Sequence, residues 1–264
     1  MKIYGKYLLV SLIWGICFSL ITLTKNDSVY SLQSLVIHIG LHGYNACNQI
    51  TMMDLLEKMV PYYIFMILFG TYIYRHFCWC SPYIFSRCEN RKKWIYKEMG
   101  KLFLFSFLYI VCMVIGRMIP IMIRGSIYID KIGIIMLILL LGIMTLWLFS
   151  SSLFCNILSI CKESIFGTML TLIIHIILVF QMMFIDTINF TNAEILKLRL
   201  NYCSHLVFSW HSFPSTSIEG MNQLGANISF IETYLYLVVV AILIMVIGIF
   251  IIEKKDIIIN MEEK

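Results

Sequence analysis

The feature that most constrains this chain is a set of six apolar runs, residues 7–23, 60–77, 102–119, 133–153, 166–185 and 234–252, none containing aspartate or glutamate. An α-helix rises 1.5 Å per residue, so about 20 apolar residues cross the ~30 Å hydrocarbon core of a bilayer. In that solvent each backbone N–H and C=O must find a partner inside its own segment, which favours helices. The expected fold is therefore all-α, a polytopic membrane protein with six transmembrane helices in a single domain, 1–264. With 60% of the residues hydrophobic and only 13% charged, no stretch is left for a soluble domain of ordinary size.

Charge sets the expected topology. The loop from Arg75 to Lys101 carries Arg75, Arg87, Arg91, Lys92, Lys93, Lys97 and Lys101 against Glu89 and Glu98. By the positive-inside rule it is cytoplasmic. Six crossings then place 13 basic residues inside and 7 outside, with both termini in the cytoplasm of a multi-pass cell-membrane protein. The net charge of +5 reads as topology and contact with anionic lipid headgroups, not as nucleic-acid binding. A signal peptide is the rival reading of the first run, but residues 20–24 offer no small-residue cleavage site.

Inside the basic loop, Ser81-Pro82 is read as an N-cap and first helical position, Cys88-Glu89-Asn90 as a turn, and Arg91–Lys101 as a helix flowing into the third span. The result is a helix-turn-helix elbow between spans 2 and 3. Pro120 is expected to close the third span, and Arg117 to reach the outer headgroups. Residues 186–233 mix polar side chains with Leu206, Val207, Phe208, Trp210, Phe213 and Pro214. That is too apolar for a solvated loop and too broken for a crossing, so interfacial or re-entrant helices are expected outside, before the sixth span.

The chemistry that is missing narrows the function. Coupled transporters use intramembrane carboxylates as proton relays and ion ligands, and the six runs have none. No G-x-x-x-x-G-K-[ST] loop is present, so any ATP hydrolysis would come from a separate subunit. Neither a catalytic constellation nor a cofactor motif emerges, and no metal site is expected. His38 and His42 stand i, i+4 without a carboxylate pattern, and His76, Cys78, Cys80 and Cys88 lack the common zinc spacing. His175 and Gln181 in the fifth run either face a pathway or bond to a neighbouring helix. Cys47 and Cys203, the two outside cysteines, either pair or stay free.

The aromatic, cation-forked elbow is read either as a docking element for a partner or as a plain topology signal. Six spans, this elbow and the broken outside segment together resemble type-2 ABC exporter permeases. The likeness is closest to the small permeases of peptide-antibiotic and bacteriocin exporters, in which a segment like Ser86–Trp94 precedes the third span. The resemblance implies that Pro82, Tyr83, Phe85, Arg87, Glu89, Arg91, Lys92, Lys93 and Trp94 form a coupling region for a separate ATPase. It further implies that two permease subunits form the pathway, with Trp210, His211, Phe213 and Pro214 near an outer gate. Met1 to Lys6 departs from the family, being too short for its amphipathic amino-terminal helix. The substrate expected is amphipathic: a peptide antibiotic, a drug or a lipid. The alternative is a non-transporting immunity or accessory protein that binds a peptide or stabilises a membrane complex.

Overall fold

Two helices meet through small residues. α1 (Lys2–Thr22) places Ser11, Gly15 and Ser19 four residues apart on one face, and this face lies against α5 (Arg91–Arg124). A Cβ at Gly15 would sit 2.4 Å from the Met113 carbonyl oxygen, and one at Gly116 would sit 2.4 Å from that of Leu12. Ser11 Oγ donates to the Tyr109 carbonyl at 2.6 Å. Such close approach of backbones is how helices associate where water provides no hydrophobic drive. The two helices run in the same direction, since 11 meets 109 and 15 meets 113–117.

This computed structural model describes residues 2–22, 29–40, 52–84, 91–183, 191–213, 221–222 and 225–254, with the side chains of 2–4, 21–22, 29, 52–58, 79–84 and 183 left aside. The remaining helices are α2 (Leu32–Ile39), α3 (Met52–Phe69), α4 (Tyr72–Ile84), α6 (Lys131–Cys161), α7 (Ser164–Met183), α8 (Asn192–Leu200) and α9 (Phe230–Lys254). The fold is mostly helical, and α5, α6, α7 and α9 are long and apolar enough to cross a membrane. Their outer faces carry exposed Leu104, Ile138, Ile177 and Leu243, an apolar belt that marks a membrane protein rather than a water-soluble one.

Taken in chain order, α1, the α3–α4 pair, α5, α6, α7 and α9 alternate in direction. Pro61, Phe65 and Phe69 of α3 meet Tyr109 and Phe105 of α5 in descending order. α7 opposes α6, with Gly167 on Ser159 and His175 on Ser151. α9 runs parallel to α6, with Tyr234 at Gly142 and Gly248 at Ile157. The start of α5 and the end of α9 therefore share one face, where Lys92 pairs with Glu253 at 3.0 Å.

The opposite face carries two short parallel strand pairs that the all-α reading did not anticipate. β1 (Val29–Ser31) pairs with β2 (Ser126–Tyr128), and β3 (His211–Ser212) with β4 (Ile228–Ser229). They join connections that follow α1 and α5, or precede α9, and give those chain ends mutual hydrogen bonds. Asp130 caps α6 by accepting from Gly133 N at 3.1 Å, and Gln33 in the first turn of α2 donates to the same carboxylate.

Several boundaries differ from the sequence reading. The second run is not one helix: it starts earlier, at Met52, and breaks at Gly70-Thr71 into α3 and α4. α4 continues through Ser81-Pro82 to Ile84, so no helix begins there. Pro120 lies inside α5, which runs four residues further because only one backbone donor is lost near its end. α6 extends to Cys161, putting Ser150, Ser151 and Ser152 in mid-helix and buried. α9 opens at Phe230 through a capping box, with Ser229 Oγ accepting from Glu232 N at 3.1 Å and Glu232 Oε2 from Ser229 N at 3.2 Å. Arg117 does not reach out: it is 4% exposed, its Nη1 donates to the Ile39 carbonyl at 2.9 Å, and its guanidinium lies 4.2 Å from the centre of the Phe18 ring. Packing of α1 and α2 over it closes the way outward.

Candidate functional site

Three groups of polar residues stand out, on the basic face, at the helix break and beneath the opposite face. On the basic face Arg91, Lys92, Lys93 and Trp94 form the first turn of α5, and Trp94 packs on Phe77 of α4. Pro82 and Tyr83 lie in the last turn of α4, while Phe85, Arg87 and Glu89 fall outside the described residues. Two turns into α5, the buried Glu98 accepts from Tyr72 Oη at 2.9 Å and Lys101 Nζ at 2.6 Å, with His76 Nδ1 3.3 Å away. A buried carboxylate is stable only with such partners. It fastens the Tyr72 end of α4 to α5.

Asn156, fully buried in α6, bridges the α3–α4 break. Its Oδ1 accepts from Ile73 N at 2.7 Å and Tyr74 N at 3.3 Å, and its Nδ2 donates to the Phe69 carbonyl at 2.9 Å. One side chain thus caps the end of one helix and the start of the next, supplying groups that a helix terminus leaves open. Gly70 makes room: a Cβ there would lie 2.2 Å from the Met66 carbonyl and 2.6 Å from Cys155 Sγ. Arg75 closes the rest, donating to Thr71 Oγ1 and the Leu68 carbonyl, each at 3.0 Å. Asn156 lay beyond the expected end of the fourth span; a lone amide in an apolar run was the signal for it.

Beneath the opposite face, residues 201–213 cover the ends of α6, α7 and α9. His175 Nδ1 donates to the Thr171 carbonyl at 2.7 Å, which leaves Nε2 to accept from Ser151 Oγ at 3.1 Å. Tyr202 donates to the Trp147 carbonyl at 2.7 Å, sits 3.0 Å from Ser151 Oγ and stacks on Trp147, 5.3 Å between ring centres. Ser151 and His175 have the contact of a nucleophile and its base, but both are buried under Tyr202 and the histidine is oriented by a carbonyl, not a carboxylate. What this arrangement does is join α6, α7 and the covering segment. Gln181 is exposed and accepts from Asn201 Nδ2 at 3.4 Å.

His211 and Phe213 turn instead to α9. His211 stacks on Phe230 at 4.8 Å, Phe213 meets the same ring edge-on, and Trp210 is buried; Pro214 is outside the described residues. The structure therefore brings His175 and Gln181 together through Asn201-Tyr202, and sets His211 and Phe213 apart on α9, with Trp210 buried beside them in the chain. Two residues missed in the sequence complete this half: His205 and Thr233, whose polarity inside apolar surroundings was the available sign. Cys203 is a buried free thiol whose burial raises its pKa; Cys47 falls outside the described residues. Among the described residues no three His, Cys, Asp or Glu side chains group as metal ligands.

Between α5, α6 and α9, nearer the basic face, lies an apolar recess of about 370 Å³ lined by Tyr96, Met99, Phe103, Phe149, Ala241 and Met245 among others. No protein-family model, curated protein or solved structure matches this chain.

Proposed function

We propose that this chain is a six-span permease subunit of an ATP-driven exporter, its two termini cytoplasmic, working as a dimer with a separate ATPase bound at the elbow. The spans are α1, the broken pair α3–α4, α5, α6, α7 and α9, and their alternating directions support this count. The observation that carries the reading is α5 itself. It is one uninterrupted helix of 34 residues that begins with the cations Arg91, Lys92 and Lys93 and reaches the opposite face at Arg124. At 1.5 Å per residue such a helix is about 50 Å long, enough to carry a push on its basic end across the bilayer. Glu98 makes α4 follow α5, and the α3–α4 break gives that pair a point at which to bend. The recess between α5, α6 and α9 has the size and apolar walls that suit an amphipathic peptide, drug or lipid.

The test is co-purification of an ATPase with the tagged chain from its native membrane. Changing Arg91, Lys92 and Lys93 together to Glu is expected to abolish capture. Because Lys92 also pairs with Glu253, the control is Lys92→Glu with Glu253→Lys, which restores that exposed pair, worth about 0.2–1 kcal/mol, and separates folding from docking. If no ATPase is captured by the wild type after gentle extraction, the reading fails and the second one takes its place. That reading, a non-transporting immunity or accessory protein, is favoured by the closed set of hydrogen bonds joining Ser151, His175 and Tyr202.

A further inference from the structure

Two buried histidines converge on a single hydroxyl. His205 Nε2 bonds the Arg199 carbonyl at 3.0 Å, and its Nδ1 faces Thr233 Oγ1 at 3.0 Å. His211 Nδ1 bonds the Val207 carbonyl at 3.0 Å, and its Nε2 faces the same Thr233 Oγ1 at 2.8 Å. A carbonyl can only accept, so His205 Nε2 and His211 Nδ1 both carry hydrogens. If both rings are neutral, the two nitrogens facing Thr233 are both bare acceptors. Thr233 has one hydrogen to give, so one short contact would set a nitrogen lone pair against an oxygen lone pair. If both rings are charged, two N–H groups press on one oxygen whose own hydrogen has nowhere to go. With one added proton every position is filled: one imidazolium donates to Thr233, and Thr233 donates to the other, neutral ring.

We propose that His205, Thr233 and His211 form a binding site for a single proton, which accommodates one without loss of the fold and expels the covering segment when a second arrives. The groups around it say where the first proton goes. His205 meets the Arg199 carbonyl of α8 and, on α9, Glu232 and Tyr236, stacking on the Tyr236 ring at 4.3 Å; Cys203 of its own segment acts on Tyr236. The Glu232 carboxylate and the Arg199 carbonyl favour its charged form against burial, which lowers it. His211 faces Phe208, Phe230 and His205 and has no carboxylate beside it among the described residues; burial pulls it to about 4. The first proton therefore enters at His205. His211 remains neutral until about pH 4, and since its pKa is below its ordinary value, its contribution to stability is lost as pH falls from about 6.5 towards 4.

The site is independent of the transport reading, and its test needs no substrate. The full chain, labelled with ¹⁵N-histidine and held in lipid nanodiscs, would be titrated from pH 8 to 3.5 by NMR, with His205→Gln and His211→Gln used to assign the signals. The reagent for the segment is a dithiodipyridine, which reacts with thiols at acid pH; labelling of Cys203, 1% exposed, would be located by peptide mass spectrometry. The expected result is one imidazolium at His205 while Cys203 stays protected, then labelling as His211 charges near pH 4. Thr233→Ser keeps this order, whereas Thr233→Val moves the onset of labelling up by about one pH unit or more. Two imidazoliums forming in one step, or Thr233→Val behaving as the wild type does, would overturn the proposal. If Thr233→Val does not fold, the wild-type titration still decides how many protons enter before the segment lifts.

Discussion

A single amide decides whether the α3–α4 pair holds together. Asn156 is the partner of Phe69 O, Ile73 N and Tyr74 N at the α3–α4 break, and Asn156, Phe69 and Ile73 are all buried. Each buried polar group left without a partner costs about 1–3 kcal/mol. Asn156→Leu keeps the volume but leaves all three open, so we expect a loss of about 3 kcal/mol or more, measured as unfolding of the detergent-solubilised protein. Asn156→Asp is a second comparison: it keeps the acceptor for Ile73 and Tyr74, loses the donor to the Phe69 and Ser152 carbonyls, and adds the cost of a buried carboxyl group. A leucine variant as stable as the wild type would mean that the break is closed by other groups. Arg117 illustrates the same rule in reverse: the carbonyl of Ile39 and the Phe18 ring hold its guanidinium inside, where a reading by sequence distance from the span's end had sent it outward.

At the scale of elements, what was legible in the sequence is what a helix settles by itself. The runs that became α1, α6, α7 and α9 are apolar over their full length, and hydrogen bonding within each segment is enough to make them helical. The break in the second run was not legible, because it depends on an asparagine more than 80 residues away. The segment before α9 was legible as broken but not in its partners, since the ties from His205 and His211 to Thr233 join residues 28 and 22 apart. The contact of α1 with α5 belongs to this second kind and gives a direct test. Gly15→Ala places a methyl 2.4 Å from the backbone oxygen of Met113, whereas the same change at Gly5 meets nothing within 4 Å. We expect Gly15→Ala to destabilise by about 1–3 kcal/mol, the usual cost of overpacking. Gly5→Ala should be neutral or stabilising by up to about 1 kcal/mol, as helix propensity alone dictates. Equal effects at the two positions would show that the interface relaxes around a methyl group.

For the whole molecule the decisive quantity is the side of the membrane on which each end of the helices lies. The pairing of Lys92 with Glu253 puts the start of α5 and the end of α9 on one face, and the turn at Cys161 between α6 and α7 closes on that face as well. α8, with Lys197 and Arg199, lies on the other. Under the exporter reading we expect the charge bias to orient this pair of faces, with Arg91, Lys92 and Lys93 on the cytoplasmic side, as the positive-inside rule favours. Cys161 is already exposed and serves as a native reporter. We expect a membrane-impermeant maleimide added to intact cells to leave Cys161 unlabelled until the cells are opened, and to label Lys197→Cys at once. The reversed pattern would place the elbow outside, out of reach of any cytoplasmic ATPase, and would remove the exporter reading while leaving the fold unchanged. Labelling of both positions from outside would mean that α7 does not cross, and the count of six spans would fall with it.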